Sequence, residues 1–383
     1  MNFIEIFDTT LRDGEQSPSV ALDLKEKIEI AYALEKLGVD VIEAGFPISN
    51  EEDYKSVREI SKRIKKCGVC GLARAVEKDI QVCYDAIKYS EKPRIHTFIA
   101  TSKIHMEKKL KKSEEEVLDI AKNSVKYARS LCPEIEFSFE DATRTEYPFM
   151  IKVIETAILS GAKIINVPDT VGYALPLEIE NRIRYIFNSL GDLINEKGVK
   201  ISVHCHNDLG NAVSNSLAGI EAGALQVEGT INGFGERAGN ASLEEVVMNL
   251  KTRNDYYKKS TRINTKLLCP TSKLVSDLTG LLIQKNKPIV GENVFAHESG
   301  IHQAGIIASR DTYEIMGSED VGWVGEHIVL GKHSGKNAIK KILTDNGIDA
   351  DENKISFILD KVKECCEIKK PLTSKEILEM IKT

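Results

Sequence analysis

The chain alternates between two hydrophobic periods. Short runs of apolar and β-branched residues fall at 3–7, 39–44, 68–73, 94–100, 135–138, 163–167, 200–204 and 226–231. Between them lie longer segments, at 24–37, 51–64, 114–130, 150–159, 178–190 and 211–222, whose apolar residues recur three and four apart. That spacing lines one face of a helix. Ser113 with Glu116 has the spacing of a capping box, and Gly38 and Gly161 stand where helices end. Strands alternating with helices predict parallel βαβ units. Eight such runs are the number that closes a (β/α)8 TIM barrel. An open doubly wound sheet fits less well, because the first strand leads into Asp8, Thr9, Thr10, Leu11, Arg12 and Asp13 rather than a GxGxxG turn.

After about Thr265 the rhythm changes. An amphipathic helical pattern at 267–285 is broken by Lys287 and Pro288, and helical patterns return at 336–346, 351–365 and 374–381. A barrel takes about 250 residues, so a chain of 383 carries a sizeable C-terminal addition. The expected division is a barrel over 1–265, a second segment over 266–325 and a small helical subdomain over 326–383.

Composition narrows the function classes. With 42% hydrophobic and 29% charged residues the chain is an ordinary globular protein. A formal net charge of −6 without a basic block makes it a poor nucleic-acid binder. No apolar run approaches the roughly 20 residues that cross a membrane, and the N-terminus has no signal-peptide pattern, so a cytoplasmic enzyme is expected. The eight cysteines are scattered, as in reducing compartments. Cys67 and Cys70 form a CxxC, but they fall in a strand-like run with no second pair, which argues for burial over zinc or redox chemistry.

Barrel enzymes place their chemistry at the C-terminal ends of the strands. The polar residues expected there are Asp8, Thr9, Arg12, Asp13, Glu43, His96, Glu140, Asp141, Arg144, Asp169, Thr170, His204, His206, Asn232, Glu236, Arg237 and Asn240. His204 and His206 are two apart on a strand, so both imidazoles face one side and Cys205 the other. Two imidazoles and a carboxylate make a divalent-metal site with open positions, and Asp13 is the expected carboxylate. Arg12 beside it suits a developing oxyanion, or a salt bridge to Glu43 or Glu140. Asn207 and Asp208 are expected to cap the next helix. Glu298 and His302 are four apart and would share a helical face, as an oriented base or as a surface ion pair.

These residues stand in longer pieces. They include FDTTLRDGEQSP at 7–18, IEAGFP at 42–47, HTFIATSKIHM at 96–106, EFSFEDATRTE at 136–146, NVPDTVGY at 166–173 and SVHCHNDLG at 202–210. VEGTINGFGERAGN at 227–240, GENVFAHESGIHQAG at 291–305, TYEIM at 312–316 and VLGKHSG at 329–335 complete the series. In order and over nearly the whole chain they resemble the isopropylmalate/homocitrate synthase family of acetyl-CoA-condensing barrels, and look most like its isopropylmalate synthase branch. The resemblance implies a divalent cation (Mn²⁺, Mg²⁺ or Zn²⁺), acetyl-CoA and a 2-oxo acid as substrates, and a homodimer whose linker reaches the partner's site. It implies metal ligands at Asp13, His204 and His206, with Asn240 a ligand or near-ligand. Arg12, Glu140, His302 and Tyr313 match catalytic positions, and Arg12, Thr170 and His96 match positions around the oxo acid, where His96 is the one cation placed beside it.

Four positions depart from the family pattern. Ser19 stands for Gly, Asn211 for Leu, Phe234 for a smaller residue and Ala304 for Asp. The pattern of a leucine-binding regulatory domain is not seen, so leucine inhibition by that route is not expected. Homocitrate synthase and then citramalate synthase, acting on 2-oxoglutarate and pyruvate, are the near alternatives. A carbon–carbon lyase of the same barrel type, with an HxHDT-like motif where this chain has His204 to Asp208, and a non-enzymic scaffold lie further off.

Overall fold

The structure is a computed structural model that describes residues 3–368. Eight strands form a closed, all-parallel barrel in sequence order: β1 (Glu5–Asp8), β2 (Val41–Glu43), β3 (Gly68–Arg74), β4 (Pro93–Ala100), β5 (Ile135–Glu140), β6 (Ile164–Asp169), β7 (Lys200–Cys205) and β8 (Gln226–Gly229). β8 closes on β1 with Glu5 opposite Gln226 and Phe7 opposite Glu228. The connecting helices are α1 (Leu24–Leu37), α2 (Glu51–Arg63), α3 (Glu77–Ile87), α4 (Glu114–Leu131), α5 (Tyr147–Ser160), α6 (Pro176–Lys197), α7 (Ala212–Glu221) and α8 (Leu243–Thr252). α9 (Leu268–Thr279) belongs to the same compact unit, which runs to Leu282.

Local chemistry starts and stops these helices. Asp23 caps α1 and forms a capping box with Glu26, and Ser113 does the same for α4 with Glu116. Gly38 and Gly161 take the left-handed conformation at the ends of α1 and α5, as their positions predict. Some boundaries move. α6 continues past Leu190 to Lys197, because Gly191 sits on its open surface and the true stop is Gly198 at φ 60. α3 and α8 fall outside the predicted set, and the helix predicted at 374–381 lies outside the described residues.

The barrel interior is polar as well as apolar. β4 and β8 are not neighbours, so the bond from Arg94 Nη1 to Gln226 Oε1 (2.7 Å) must cross the lumen. Arg94 also meets Glu136 at 3.1 Å and Glu5 at 2.7 Å, and Gln226 Nε2 donates to Glu136 Oε1 at 2.6 Å. Burial, with Glu228 beside it, pushes the Glu136 carboxyl up to about 8 despite Arg94. Outside the strands, α7 packs closely because Gly219 faces Val203: a Cβ there would lie 2.7 Å from Val203 Cγ1.

The second compact unit begins at Ile283. It contains α10 (Gly300–Ala308), α11 (Lys336–Asp345) and α12 (Glu352–Ile368). α11 and α12 bury a core of their own around Leu330, Ile339, Leu343, Ile355 and Val362.

Ser19 sits at φ 73, the left-handed region where a side chain costs about 1 kcal/mol. The backbone conformation would suit the Gly that the resemblance implies at this position, and Ser19 carries the strain. Cys67 and Cys70 are free and buried on or beside β3, and burial pushes the Cys67 thiol up to about 12, which accords with a packing role. Gly219→Ala is expected to lower stability by about 1–3 kcal/mol through overpacking against Val203, visible as a lower Tm; an unchanged Tm would contradict the close approach.

Candidate active site

Asp13, His204 and His206 converge at the barrel mouth. His204 lies on β7 and His206 just beyond it, with Cys205 pointing the other way. Their Nε2 atoms are 3.3 Å apart, and each lies near Asp13 Oδ2, at 3.7 and 3.8 Å. Among the described residues this is the group of three donors able to share one cation. Burial lowers both imidazoles to about 4, so both are neutral at pH 7 with lone pairs available. Burial raises the Asp13 carboxyl, but Arg12, the two imidazoles and the Asn240 amide together outweigh it and hold the group well below the usual range. Two neutral imidazoles and a carboxylate with these spacings fit a divalent cation bound at about 2.0–2.2 Å.

The loop from Thr230 to Asn240 completes this corner. Asn240 Nδ2 donates to Asp13 Oδ1 at 2.9 Å, and its buried Oδ1 has no hydrogen-bond partner. The unsatisfied oxygen makes Asn240 a candidate fourth ligand, while its amide steadies Asp13. Gly235 is required here, because a Cβ would lie 2.0 Å from Asn240 Nδ2. The loop is pinned by structural residues. Asn232 stands at φ 64, its N–H donates to Glu244 and its side chain bonds Ser272. Asp8 accepts from Thr10, whose Oγ1 accepts from the Ile231 N–H.

Arg12 joins the metal corner to a second set of charges. Its Nη1 donates to Asp13 Oδ2 and its Nε to Glu43 Oε2, both at 2.6 Å. Of the two expected salt-bridge partners, Glu43 is the one engaged. Glu43 Oε1 lies 2.7 Å from His96 Nδ1, and His96 Nε2 lies 2.7 Å from Ser138 Oγ. Asn166 Nδ2 also donates to Ser138 Oγ. Burial opposes the charge on His96, but Glu43 raises the imidazole to about 9; burial likewise raises Glu43, but Arg12 and His96 hold it at about 2. His96 is therefore a cation at neutral pH, already neutralised by Glu43.

A cavity of about 360 Å³ opens on these groups. Its apolar walls are Phe46, Leu72, Phe98 and Pro168. Glu140 and Thr170 line it, as expected. Glu140 accepts from Lys109 Nζ at 2.6 and 3.0 Å. Thr170 Oγ1 accepts from the Asp141 N–H at 2.9 Å, leaving its own proton to donate. Lys109 and Arg237 also line the cavity, which corrects the expectation that His96 is the one cation beside the oxo acid. Lys109 lies on a π-helical turn (Met106–Leu110) whose geometry no sequence spacing announced. Arg237 pairs with Asp208, so Asp208 does not cap α7; Asn207 Oδ1 does, accepting from the Ala212 N–H. Asp169 is structural, accepting from Thr143 Oγ1 and the Ala174 N–H.

His302 and Tyr313 lie in the second unit. Their rings stack at 4.2 Å, and Gly305 allows this, since a Cβ there would meet the Tyr313 ring at 2.5 Å. The expected pairing of Glu298 and His302 on one helical face fails: α10 starts at Gly300 after an extended Ser299, so Glu298 is off the helix. Ala304 lies on α10.

Leu72, Ser138, Asn166 and Glu228 are not reached by reading strand ends alone. Strand parity finds them. Counting by two from His96 and His204 reaches the inward positions of each strand, and Glu228 Oε2 lies 3.0 Å from His204 Nδ1.

The His96–Glu43 pair gives a testable pH dependence. The imidazole is raised from 6.5 to about 9 in the folded protein. Its stabilisation is therefore complete below the unfolded value and is lost as pH rises through about 9. His96→Gln should melt below wild type at neutral pH, with the difference closing on the alkaline side of pH 9. A gap that persists there would contradict the assignment.

Comparison with known proteins agrees with this geometry. A family model described as HMGL-like matches residues 3–275, and one described as homocitrate synthase post-HMGL domain-like matches 289–370. A 2-isopropylmalate synthase of Pyrococcus abyssi is 51% identical over 381 residues, covering 100% of this chain and 78% of that protein. A 2-isopropylmalate synthase 1 of Caldanaerobacter subterraneus subsp. tengcongensis is 52% identical, covering 97% of this chain and 93% of its own. Among solved structures, hydroxymethylglutaryl-CoA lyase from Pseudomonas aeruginosa shares the fold, with a TM-score of 0.62, 17% identity and coverage of 74% and 95% of the two chains. With about half of its residues identical to these relatives over nearly its whole length, the chain belongs to the 2-isopropylmalate synthase family.

Proposed function

We propose that the chain condenses acetyl-CoA with 2-oxoisovalerate to give 2-isopropylmalate and CoA, a carbon–carbon bond-forming step of leucine biosynthesis. The observation that carries the choice of oxo acid is the pairing of every cation that lines the cavity. Arg12 is held by Asp13 and Glu43, His96 by Glu43, Lys109 by Glu140 and Arg237 by Asp208. A second carboxylate, as on 2-oxoglutarate, would find no cation there that lacks a carboxylate partner. The branched side chain of 2-oxoisovalerate needs apolar surface instead, and Leu72, Phe98 and Pro168 supply it.

The roles follow from the contacts. Asp13, His204 and His206, with Asn240, would hold a divalent cation; Mn²⁺, Mg²⁺ and Zn²⁺ all suit the donor set. When bound, the cation supplies Lewis-acid polarisation of the oxo acid's carbonyl. Thr170 donates its hydroxyl to the substrate carboxylate. Arg12 has Nε and Nη1 committed to carboxylates, which leaves Nη2 for the oxygen that gains charge as the new bond forms. Glu140 takes the proton from the acetyl methyl group as the C–H pair becomes the enolate, which then attacks the carbonyl carbon, and the new alkoxide takes a proton from water. His302 is the other candidate base. It lies with Tyr313 in the segment 266–325, which acts as the linker of a homodimer between the 1–265 barrel and the 326–383 helical subdomain, and it serves the partner's site. Water then cleaves the thioester and releases CoA. Eight cysteines outside any disulfide and the absence, among the described residues, of a helix long and apolar enough to cross a membrane accord with a cytoplasmic setting.

The test is thiol release from acetyl-CoA with Mn²⁺ or Mg²⁺, comparing 2-oxoisovalerate, 2-oxoglutarate and pyruvate, with and without EDTA. The expected result is preference for 2-oxoisovalerate in kcat/KM, abolished by the chelator. Preference for 2-oxoglutarate or pyruvate would move the reading to homocitrate or citramalate synthesis.

A further inference from the structure

The segment after β4 brings a histidine to Glu140 that no role yet uses. Ser102 Oγ accepts from the His105 N–H and caps a single helical turn (Lys103–His105), which passes directly into the π-helical turn Met106–Leu110. Such π turns recur at functional sites. One turn thus presents two side chains to one carboxylate. Lys109 Nζ contacts both Glu140 oxygens, and His105 Nδ1 lies 3.6 Å from Glu140 Oε1 and 3.9 Å from Asp141 Oδ2. His105 Nδ1 is buried and without a hydrogen-bond partner, while the side chain as a whole is 21% exposed. An orphaned ring nitrogen facing a carboxylate, on a ring whose remainder reaches water, is an arrangement for moving a proton outward.

The other groups around it do not compete for that task. Asp141 is buried, stands at φ 65 and is bound by Arg144 through both carboxylate oxygens. Lys109 meets Glu140 as an ammonium, which has no lone pair to accept a proton. An imidazole accepts at one nitrogen and releases from the other.

We propose that His105 is the proton relay of this site, acting through Glu140 rather than on substrate. This rests on the role proposed above for Glu140. The methyl C–H bond breaks, its electron pair enters the enolate and the proton moves to Glu140. Glu140 passes the proton to His105 Nδ1, the imidazolium releases its Nε2 proton to water, and Glu140 is again a carboxylate; proton exchange with water then returns the ring to its Nε2–H tautomer for the next turnover. The 3.6 Å separation closes by tightening in the substrate complex or through one water, as catalytic hydrogen bonds commonly do.

The experiment compares wild type, His105→Ala and His105→Gln in thiol release at saturating acetyl-CoA, 2-oxoisovalerate and Mn²⁺, with melting curves to verify folding. Loss of acid–base assistance should lower kcat by about 10²-fold while both KM values stay near wild type. In His105→Ala, added imidazole should restore turnover in proportion to its concentration, and His105→Gln should show the loss without rescue. Wild-type kcat in both variants would overturn the relay, as would a loss carried by KM or one that imidazole leaves unchanged in folded protein. Absence of turnover by wild type would instead overturn the condensation reading itself, so the two failures are distinguishable.

Discussion

Arg12 is held between Asp13 and Glu43 at the mouth of a closed barrel, 2.6 Å from each. Most of the candidate site depends on that one buried guanidinium. It keeps Asp13 ionised against the cost of burial, which is what a metal ligand requires. It also lets Glu43 stay charged, and a charged Glu43 in turn keeps His96 protonated and turned toward Ser138. Removing the guanidinium would leave two carboxylates buried without their strongest partner. The same charge that is available to a developing oxyanion therefore also holds the site together before substrate arrives, and the two roles cannot be separated by deleting Arg12.

The closed barrel makes this arrangement affordable in structural terms. Eight parallel strands bring inward positions from non-neighbouring strands into contact, so Glu43 on β2 reaches His96 on β4, and Arg94 on β4 reaches Gln226 on β8. Charges taken from water this way are tolerated because each meets an opposite charge or a hydrogen-bond partner. Glu136 shows the remaining option: where Arg94 does not suffice against burial and Glu228, the carboxyl stays protonated near neutrality.

Much of this was legible in the chain. The eight apolar runs predict the strands, and His204 and His206, two apart on a strand, predict a shared direction that the 3.3 Å separation of their Nε2 atoms bears out. Ser19 was legible as a departure, and its φ of 73 gives the reason. What was hidden depends on contacts between distant segments. Nothing near Lys109 signals a π turn that carries it to Glu140, and nothing near Glu298 shows that α10 begins two residues later. Cation pairing was equally hidden, because Arg237 and Asp208 are separated by a strand and a helix along the chain.

The central claim is that one divalent cation sits on Asp13, His204 and His206 with the oxo acid against the apolar wall. A crystal of the full chain soaked with Mn²⁺ and 2-oxoisovalerate, with anomalous data at the manganese edge, tests it directly. The account predicts one strong peak bonded to Asp13 Oδ2 and to Nε2 of His204 and His206, with the isopropyl group beside Leu72 and Pro168. A peak elsewhere, or an oxo acid whose side chain points toward Arg237 instead, would contradict it.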